Sequence, residues 1–326
     1  MNRGKIVLCL QLTILLLTVS LAEAQQGKIY RLGVVHQGGQ FQAVVDGLRD
    51  GLKELGYEEG KQIQLDIRDA KGDLGVVKEA AKAFEREKAN LIYAVTTTVV
   101  TAVKESTVNV PIVFAVATDP VSSGLIQSFV KPGGRLTGVY YLTTDLTAKR
   151  LEILKEIVPK LRKVVTFYDS GNEVALAAAK SGREAARQLS VEIVERPIAS
   201  VEELRLGLMA LKAEDADAYY FTSDAMVTSQ AQFIIDTARA KKLPTIGYEQ
   251  SLVAQGALVS YGVSYYEIGR LSAKYVQRVL TGTSPQNLPV ESISRLGLAV
   301  NLKTARELGL TIPQAVLMRA DVVIPQ

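Results

Sequence analysis

NLIYAVTTTVVTAVKESTVNVPIVFAVATDP, running from Asn90 to Pro120, is the stretch whose reading decides the fold. Two apolar, β-rich runs, Leu91 to Val95 and Ile112 to Val116, flank a segment of mixed periodicity from Val99 to Glu105. That pattern predicts strand, helix and strand, a βαβ unit. Each strand ends in polar residues: Thr96, Thr97 and Thr98 after the first, then Ala117, Thr118, Asp119 and Pro120 after the second. Parallel sheets bind small molecules outside the carboxyl ends of their strands, so both clusters are expected to face one cleft. The helix after Thr98 also aims free N–H groups and the positive end of its dipole there, which suits a carboxylate. Taken alone, a threonine run before a helix more often just caps it, because Ser, Thr and Asp are ordinary N-cap residues.

The same alternation continues on both sides. Upstream lie a strand from Ile29 to Val35 ending at His36-Gln37-Gly38-Gly39, a helix from Gln42 to Leu55, a strand from Ile63 to Ile67 and a helix from Leu74 to Glu87. Downstream, Leu136 to Tyr140 reads as strand and Leu146 to Ile157 as helix. Beyond Pro159 the pattern restarts, with strands at Val164 to Tyr168, Val191 to Val194, Ala218 to Phe221 and Thr245 to Gly247. The helices between them are Val174 to Leu189, Val201 to Leu211 and Met226 to Ala240. Repeated βα units predict parallel sheets covered by helices, here in two similar lobes.

The strand ends of the second half repeat the chemistry of the first: Ser170 and Asn172, then Ser223 and Asp224, then Glu249. These residues are expected to form the opposite wall of the cleft, although each is also a common turn or cap residue. A carboxylate at Asp224 or Glu249 facing Thr96 to Thr98 would receive an ammonium group, making the cleft complementary to an amino acid. His36, the only histidine, follows the first strand and is a candidate ligand contact with no partner for metal or triad chemistry. The pairs Tyr140-Tyr141, Tyr219-Tyr220 and Tyr265-Tyr266 read as sheet or core residues.

Composition narrows the function classes. A chain of 326 residues, 48% hydrophobic and 22% charged, has room for two cored domains. The 38 basic and 34 acidic side chains are interspersed, so no nucleic-acid stripe stands out. Arg3 and Lys5 precede an apolar run from Ile6 to Leu21, followed by Ala22-Glu23-Ala24, which predicts a secretory signal over residues 1–24; a retained anchor is the alternative. Cys9, the only cysteine, lies inside that run. The remainder then has no disulfide framework and no thiol nucleophile, which fits export to a periplasm. No GxGxxG after a strand, Walker A lysine, GxSxG or HExxH motif occurs, so no cofactor and no metal are expected. An enzyme on this fold would be restricted to carboxylate or lysine chemistry.

Several segments carry a family resemblance. Ile112-Val113-Phe114, Thr118-Asp119-Pro120-Val121, Pro132-Gly133-Gly134-Arg135-Leu136-Thr137-Gly138, Val253 to Leu258, Tyr261 to Arg270, Val300 to Pro313 and Arg319-Ala320-Asp321 together resemble ABC-transporter substrate-binding proteins of the tryptophan-binding type. The resemblance spans nearly all of the chain after residue 24. It implies a periplasmic-binding-protein type I fold, the Venus-flytrap architecture: two doubly wound parallel-sheet lobes joined by three crossovers. It further implies a small ligand, an aromatic or aliphatic amino acid with an aromatic or other small carboxylate as the alternative, and ABC permease and ATPase subunits as partners. On that pattern residues 28–140 and 264–326 make the first lobe and residues 141–263 the second. The chain crosses near Gly138 to Leu142 and returns near Ser260 to Ser264. By the same resemblance Thr96 to Thr98 with Ala117 and Thr118 hold a carboxylate, and Asp224 an amine. A ligand-sensing pair of lobes feeding a signalling receptor shares every one of these features. The loop His36-Gln37-Gly38-Gly39-Gln40-Phe41 departs from the family pattern, so the pocket for the ligand side chain is expected to differ.

Overall fold

The computed structural model describes residues 29–141, 146–212, 214–293 and 296–325. The signal-like segment 1–24 lies outside the described residues. The first lobe begins with β1 (Tyr30–His36), α1 (Gln42–Glu54), β2 (Ile63–Asp69), α2 (Leu74–Arg86), β3 (Leu91–Val95), α3 (Thr97–Ser106), β4 (Ile112–Val116) and β5 (Leu136–Tyr140). The second contains α4 (Thr147–Ile157), β6 (Lys163–Asp169), α5 (Glu173–Gln188), β7 (Glu192–Ile198), α6 (Val201–Ala210) and β8 (Ala218–Tyr220). It continues through α7 (Ala225–Ser229), α8 (Ala231–Ala240), β9 (Thr245–Glu249), α9 (Ser251–Ala254) and β10 (Val259–Val263). The chain then forms α10 (Tyr265–Leu280), β11 (Glu291–Ser292), β12 (Gly297–Asn301), α11 (Leu302–Glu307), α12 (Gln314–Leu317) and β13 (Val322–Ile324).

The strands form two sheets. Their orders are β11-β5-β4-β3-β1-β2 and β13-β12-β10-β9-β8-β6-β7. All neighbours pair in parallel except β10 with β12. The central strands β3 and β4 are buried along their whole length, as continuous apolar runs covered by helices on both faces must be. β7, which carries Pro197, is an edge strand where the missing N–H breaks no ladder.

Three elements differ from the sequence reading. Met226 to Ala240 is two helices, broken at Gln230. Tyr248 and Glu249, read as following a strand, are its last two residues. Residues 264–326 do not all return to the first lobe: α10 and β11 do, but β12 and β13 join the second sheet beside β10. Short strands with no helix between them leave no βα signature, so this third crossing, between Ser292 and Gly297, was not located from the sequence.

The return of α10 onto the first lobe depends on glycine. A Cβ at Gly269 would lie 1.9 Å from the Val44 carbonyl oxygen, and one at Gly47 would lie 1.9 Å from that of Tyr266. The backbones of α1 and α10 therefore touch directly, and Tyr266 Oη donates to Asp50 at 2.8 Å beside the contact.

Candidate functional site

In both sheets the strand order reverses once, between β1 and β3 in the first and between β6 and β8 in the second. At such a switch point successive connections leave on opposite faces and open a crevice. The two crevices meet at one cavity lined from both lobes. Phe41 follows β1, Thr96 to Thr98 follow β3, Ala117 follows β4 and Tyr141 follows β5 on one side. Asn172 follows β6 and Ser223, Asp224 and Ala225 follow β8 on the other, with Tyr248 at the end of β9 and Tyr265 at the start of α10.

The threonine wall is built by α3. Thr96 caps that helix, its hydroxyl accepting from Val99 N–H at 3.4 Å. Its backbone sits at φ 81°, an uncommon and costly conformation for a β-branched residue. Strain of this kind concentrates where a chain is held for a purpose other than stability. Thr97 Oγ1 is 3.0 Å from Thr118 Oγ1, which ties the ends of β3 and β4 together. The first-turn N–H groups of α3 have no carbonyl within the helix to bond, so this wall offers donors to an anion.

The facing wall centres on Asp224, which is 2% exposed. Its Oδ1 accepts from Val227 N–H at 2.9 Å, capping α7, and its Oδ2 accepts from Asp169 N–H at 2.8 Å. Burial pushes its carboxyl up to about 6, against the pull of those N–H donors and with help from the Asp169 carboxylate. Each carboxylate oxygen has two lone pairs, so acceptor capacity remains for a cation in the cavity. Asn172 likewise caps α5 through Oδ1, 3.0 Å from Val174 N–H, while lining the same space. Capping and exposure to the cavity thus coincide in Thr96, Asn172 and Asp224.

Aromatic rings close the remaining sides. Phe41 stacks on Tyr265 with centroids 5.2 Å apart and an interplanar angle of 19°, and Tyr141 meets Tyr265 at 6.0 Å. Tyr248 hydrogen-bonds Thr228 through its hydroxyl. The sequence reading assigned the Tyr140-Tyr141 and Tyr265-Tyr266 pairs to sheet or core. Tyr141 and Tyr265 are indeed buried core residues, each 1% exposed, and they also line the cavity. Both stand where the chain passes between lobes, a position that only the crossover geometry makes visible.

Other expected contacts lie elsewhere. Thr118 reaches the cavity only through Thr97, and Asp119 binds the N–H groups of Val121 and Ser122 in its own turn. Ser170 is exposed and donates to the Ile198 carbonyl. His36 is buried, its Nδ1 accepting from Gly38 N–H at 3.1 Å. Burial holds its imidazole below the ordinary value, with Asp69 and Asp46 opposing. Glu249, expected beside Asp224, instead accepts from Ser251 N–H at 2.8 Å and from Tyr265 N–H at 3.2 Å. It therefore braces the crossover into α10, with burial pushing it up to about 6. Alternation along β9 puts Tyr248 and Glu249 on opposite faces, which is why one meets the cavity and the other does not. Among the described residues no group of three or more His, Cys, Asp or Glu is placed to hold a metal ion. No helix among them is long and apolar enough to cross a membrane.

Two doubly wound lobes with a polar and aromatic cavity between their switch points have the architecture of a type I periplasmic binding protein. The chain belongs to the ABC transporter substrate binding protein family, whose profile matches residues 33–324. That family consists of solute-binding proteins and not of enzymes. A tyrosine-binding protein of Clostridioides difficile is 29% identical over 263 residues, 80% of this chain and 75% of that protein. A conserved domain protein of Vibrio cholerae has a crystal structure that is 31% identical with a TM-score of 0.81, covering 92% of this chain and 100% of that one. An ABC domain from Streptococcus pneumonia, solved with L-Trp, also superposes with a TM-score of 0.81 at 24% identity, covering 91% and 100% of the two chains.

Proposed function

We propose that this protein is the exported solute-binding component of an ABC importer and that its ligand is an amino acid with an aromatic side chain, held in the cavity between the lobes. The carrying observation is that Asp224 and the Thr96 to Thr98 wall line one cavity from opposite lobes, with four aromatic rings completing it. In this reading the ligand carboxylate takes the N–H groups and hydroxyls at the start of α3, and the ammonium takes Asp224. The side chain lies against Phe41, Tyr141, Tyr248 and Tyr265, where ring contacts favour an aromatic over an aliphatic group. The relative named for tyrosine binding supports the choice.

The mechanism is a shift between open and closed lobes. A ligand touching both walls binds the closed form better than the open one, and only that difference can move the equilibrium. Closure by hinge motion at the three crossings then presents one shape to a permease, which with its ATPase completes the transporter. No bond is made or broken. Residues 1–24 would direct export and be removed.

A thermal-shift screen of amino acids and small aromatic acids tests the proposal. A ligand binding only the folded state stabilises it by about 2.7 kcal/mol at a hundredfold excess over its dissociation constant. A rise in melting temperature with tyrosine, phenylalanine or tryptophan is the expected result. A rise only with carboxylates lacking an amine would remove the ammonium from Asp224 and overturn the amino-acid reading.

A further inference from the structure

Beside the cavity, the two lobes approach each other at a glycine. Gly39, at φ +58°, faces the backbone of Ser229: a Cβ there would lie 2.4 Å from its carbonyl oxygen and 3.0 Å from its Cα. Backbone on both sides leaves nothing that can swing aside. Gly72, in the loop after β2 at φ +87°, meets the same residue less tightly, with Ser229 Oγ 3.3 Å and Val201 Cγ2 3.5 Å from its would-be Cβ. The Gly38–Phe41 turn and the loop holding Gly72 belong to the first lobe, and Val201 and Met226 to Ser229 to the second. The seam is continuous in sequence with the cavity on both sides, through Phe41 on one wall and Asp224 and Ala225 on the other. A change in lobe separation therefore moves the seam and the ligand contacts together.

The turn also carries a cost. Gln37 Oε1 and both amide atoms of Gln40 are buried without a hydrogen-bond partner. Polar groups left in this state oppose burial, because they exchange water for nothing. Closing the seam over such groups has a cost, which contacts made by a ligand to both lobes offset.

We propose that Gly39 is a positioning residue for ligand capture: its missing side chain is what lets the lobes reach the separation at which Asp224 and the Thr96 to Thr98 wall grip one molecule. The proposal rests on the reading of the cavity as an amino-acid site and adds a closing contact outside it. Gly39 is not among the residues that line the cavity.

The test compares Gly39→Ala with Gly124→Ala. Gly124 has a similar backbone, φ +69°, but nothing within 4 Å of a Cβ, so it carries the conformational cost without the clash. Each protein is titrated with L-tyrosine and L-tryptophan by calorimetry, and its radius of gyration is measured by X-ray scattering with and without saturating ligand. Overpacking against backbone is expected to weaken binding by Gly39→Ala about tenfold or more and to abolish its compaction on ligand addition. Gly124→Ala should bind and compact as the wild type does. Should Gly39→Ala fail to fold, Gly72→Leu places bulk in the same seam and must weaken binding and block compaction in the same way. Wild-type-like binding and compaction in Gly39→Ala, or in Gly72→Leu where that variant stands in, overturns the proposal and leaves the cavity reading intact. A wild type that binds neither amino acid overturns the cavity reading, and the proposal with it, before any variant is made.

Discussion

Replacing Asp224 with Asn removes the charge proposed to hold the ligand ammonium while keeping the size of the side chain. The amide oxygen can still accept from Val227 N–H at 2.9 Å, and Asn caps helices as well as Asp does. The acceptor for Asp169 N–H at 2.8 Å is lost, at about 1 to 3 kcal/mol. Against that, burial and the neighbouring Asp169 raise the carboxyl from 3.8 to about 6. That displacement corresponds to ~3 kcal/mol of penalty on the ionised form, which the neutral amide does not carry. The two effects oppose each other, so the unliganded variant should unfold within about 2 kcal/mol of the wild type. Ligand binding has no such compensation. Leaving a buried ammonium unpaired costs about 3 kcal/mol or more, roughly a hundredfold in affinity. Calorimetric titration with L-tyrosine and with its deaminated analogue separates charge loss from general damage. The variant should lose affinity for tyrosine and keep whatever affinity the wild type has for the analogue. Equal losses for both ligands, or tyrosine affinity within threefold of wild type, would refute the assignment.

Other consequences are open to direct measurement. Affinity for an amino acid should fall as the pH drops through about 6, where Asp224 takes up a proton, and Asp224→Asn should show no such step in titrations at pH 5 and pH 7.5. For folding the sign is opposite: acids raised by burial, Asp224 and Glu249, favour the folded state below the ordinary carboxylate range, and that contribution is lost as pH rises through about 6. His36, held low by burial, works against them on the acid side in both proteins; lacking the Asp224 carboxyl, Asp224→Asn should have a flatter carboxylate contribution to its melting profile than the wild type. Phe41→Leu removes the ring stacked on Tyr265 and should weaken aromatic ligands by about 0.5 to 1.5 kcal/mol while sparing leucine, as read by competition titration. Gly269→Ala, with its Cβ 1.9 Å from the Val44 carbonyl, should lower unfolding free energy by about 3 kcal/mol in urea, and an unchanged midpoint would mean that the α1–α10 contact is not tight.

The sequence by itself determined the two-lobed α/β architecture, because buried parallel strands must be continuous apolar runs and their helices must be amphipathic; Leu91–Val95 and Ile112–Val116 appear in the structure with the bounds read from their residues. It also located polar strand ends, and Thr96 to Thr98, Ala117, Asn172, Ser223 and Asp224 do meet at one cavity. Local pattern stops where a residue's role depends on a distant partner. Asp224 and Glu249 look alike in sequence, and only the pleat of β9 and the position of Tyr265 send one to the cavity and the other to the crossover. Phe41, Tyr141, Tyr248 and Tyr265 come from four separate segments, so no spacing could unite them. The return of β12 and β13 to the second sheet was likewise decided by long-range pairing, since an apolar run shows that a strand is buried and not which sheet it joins.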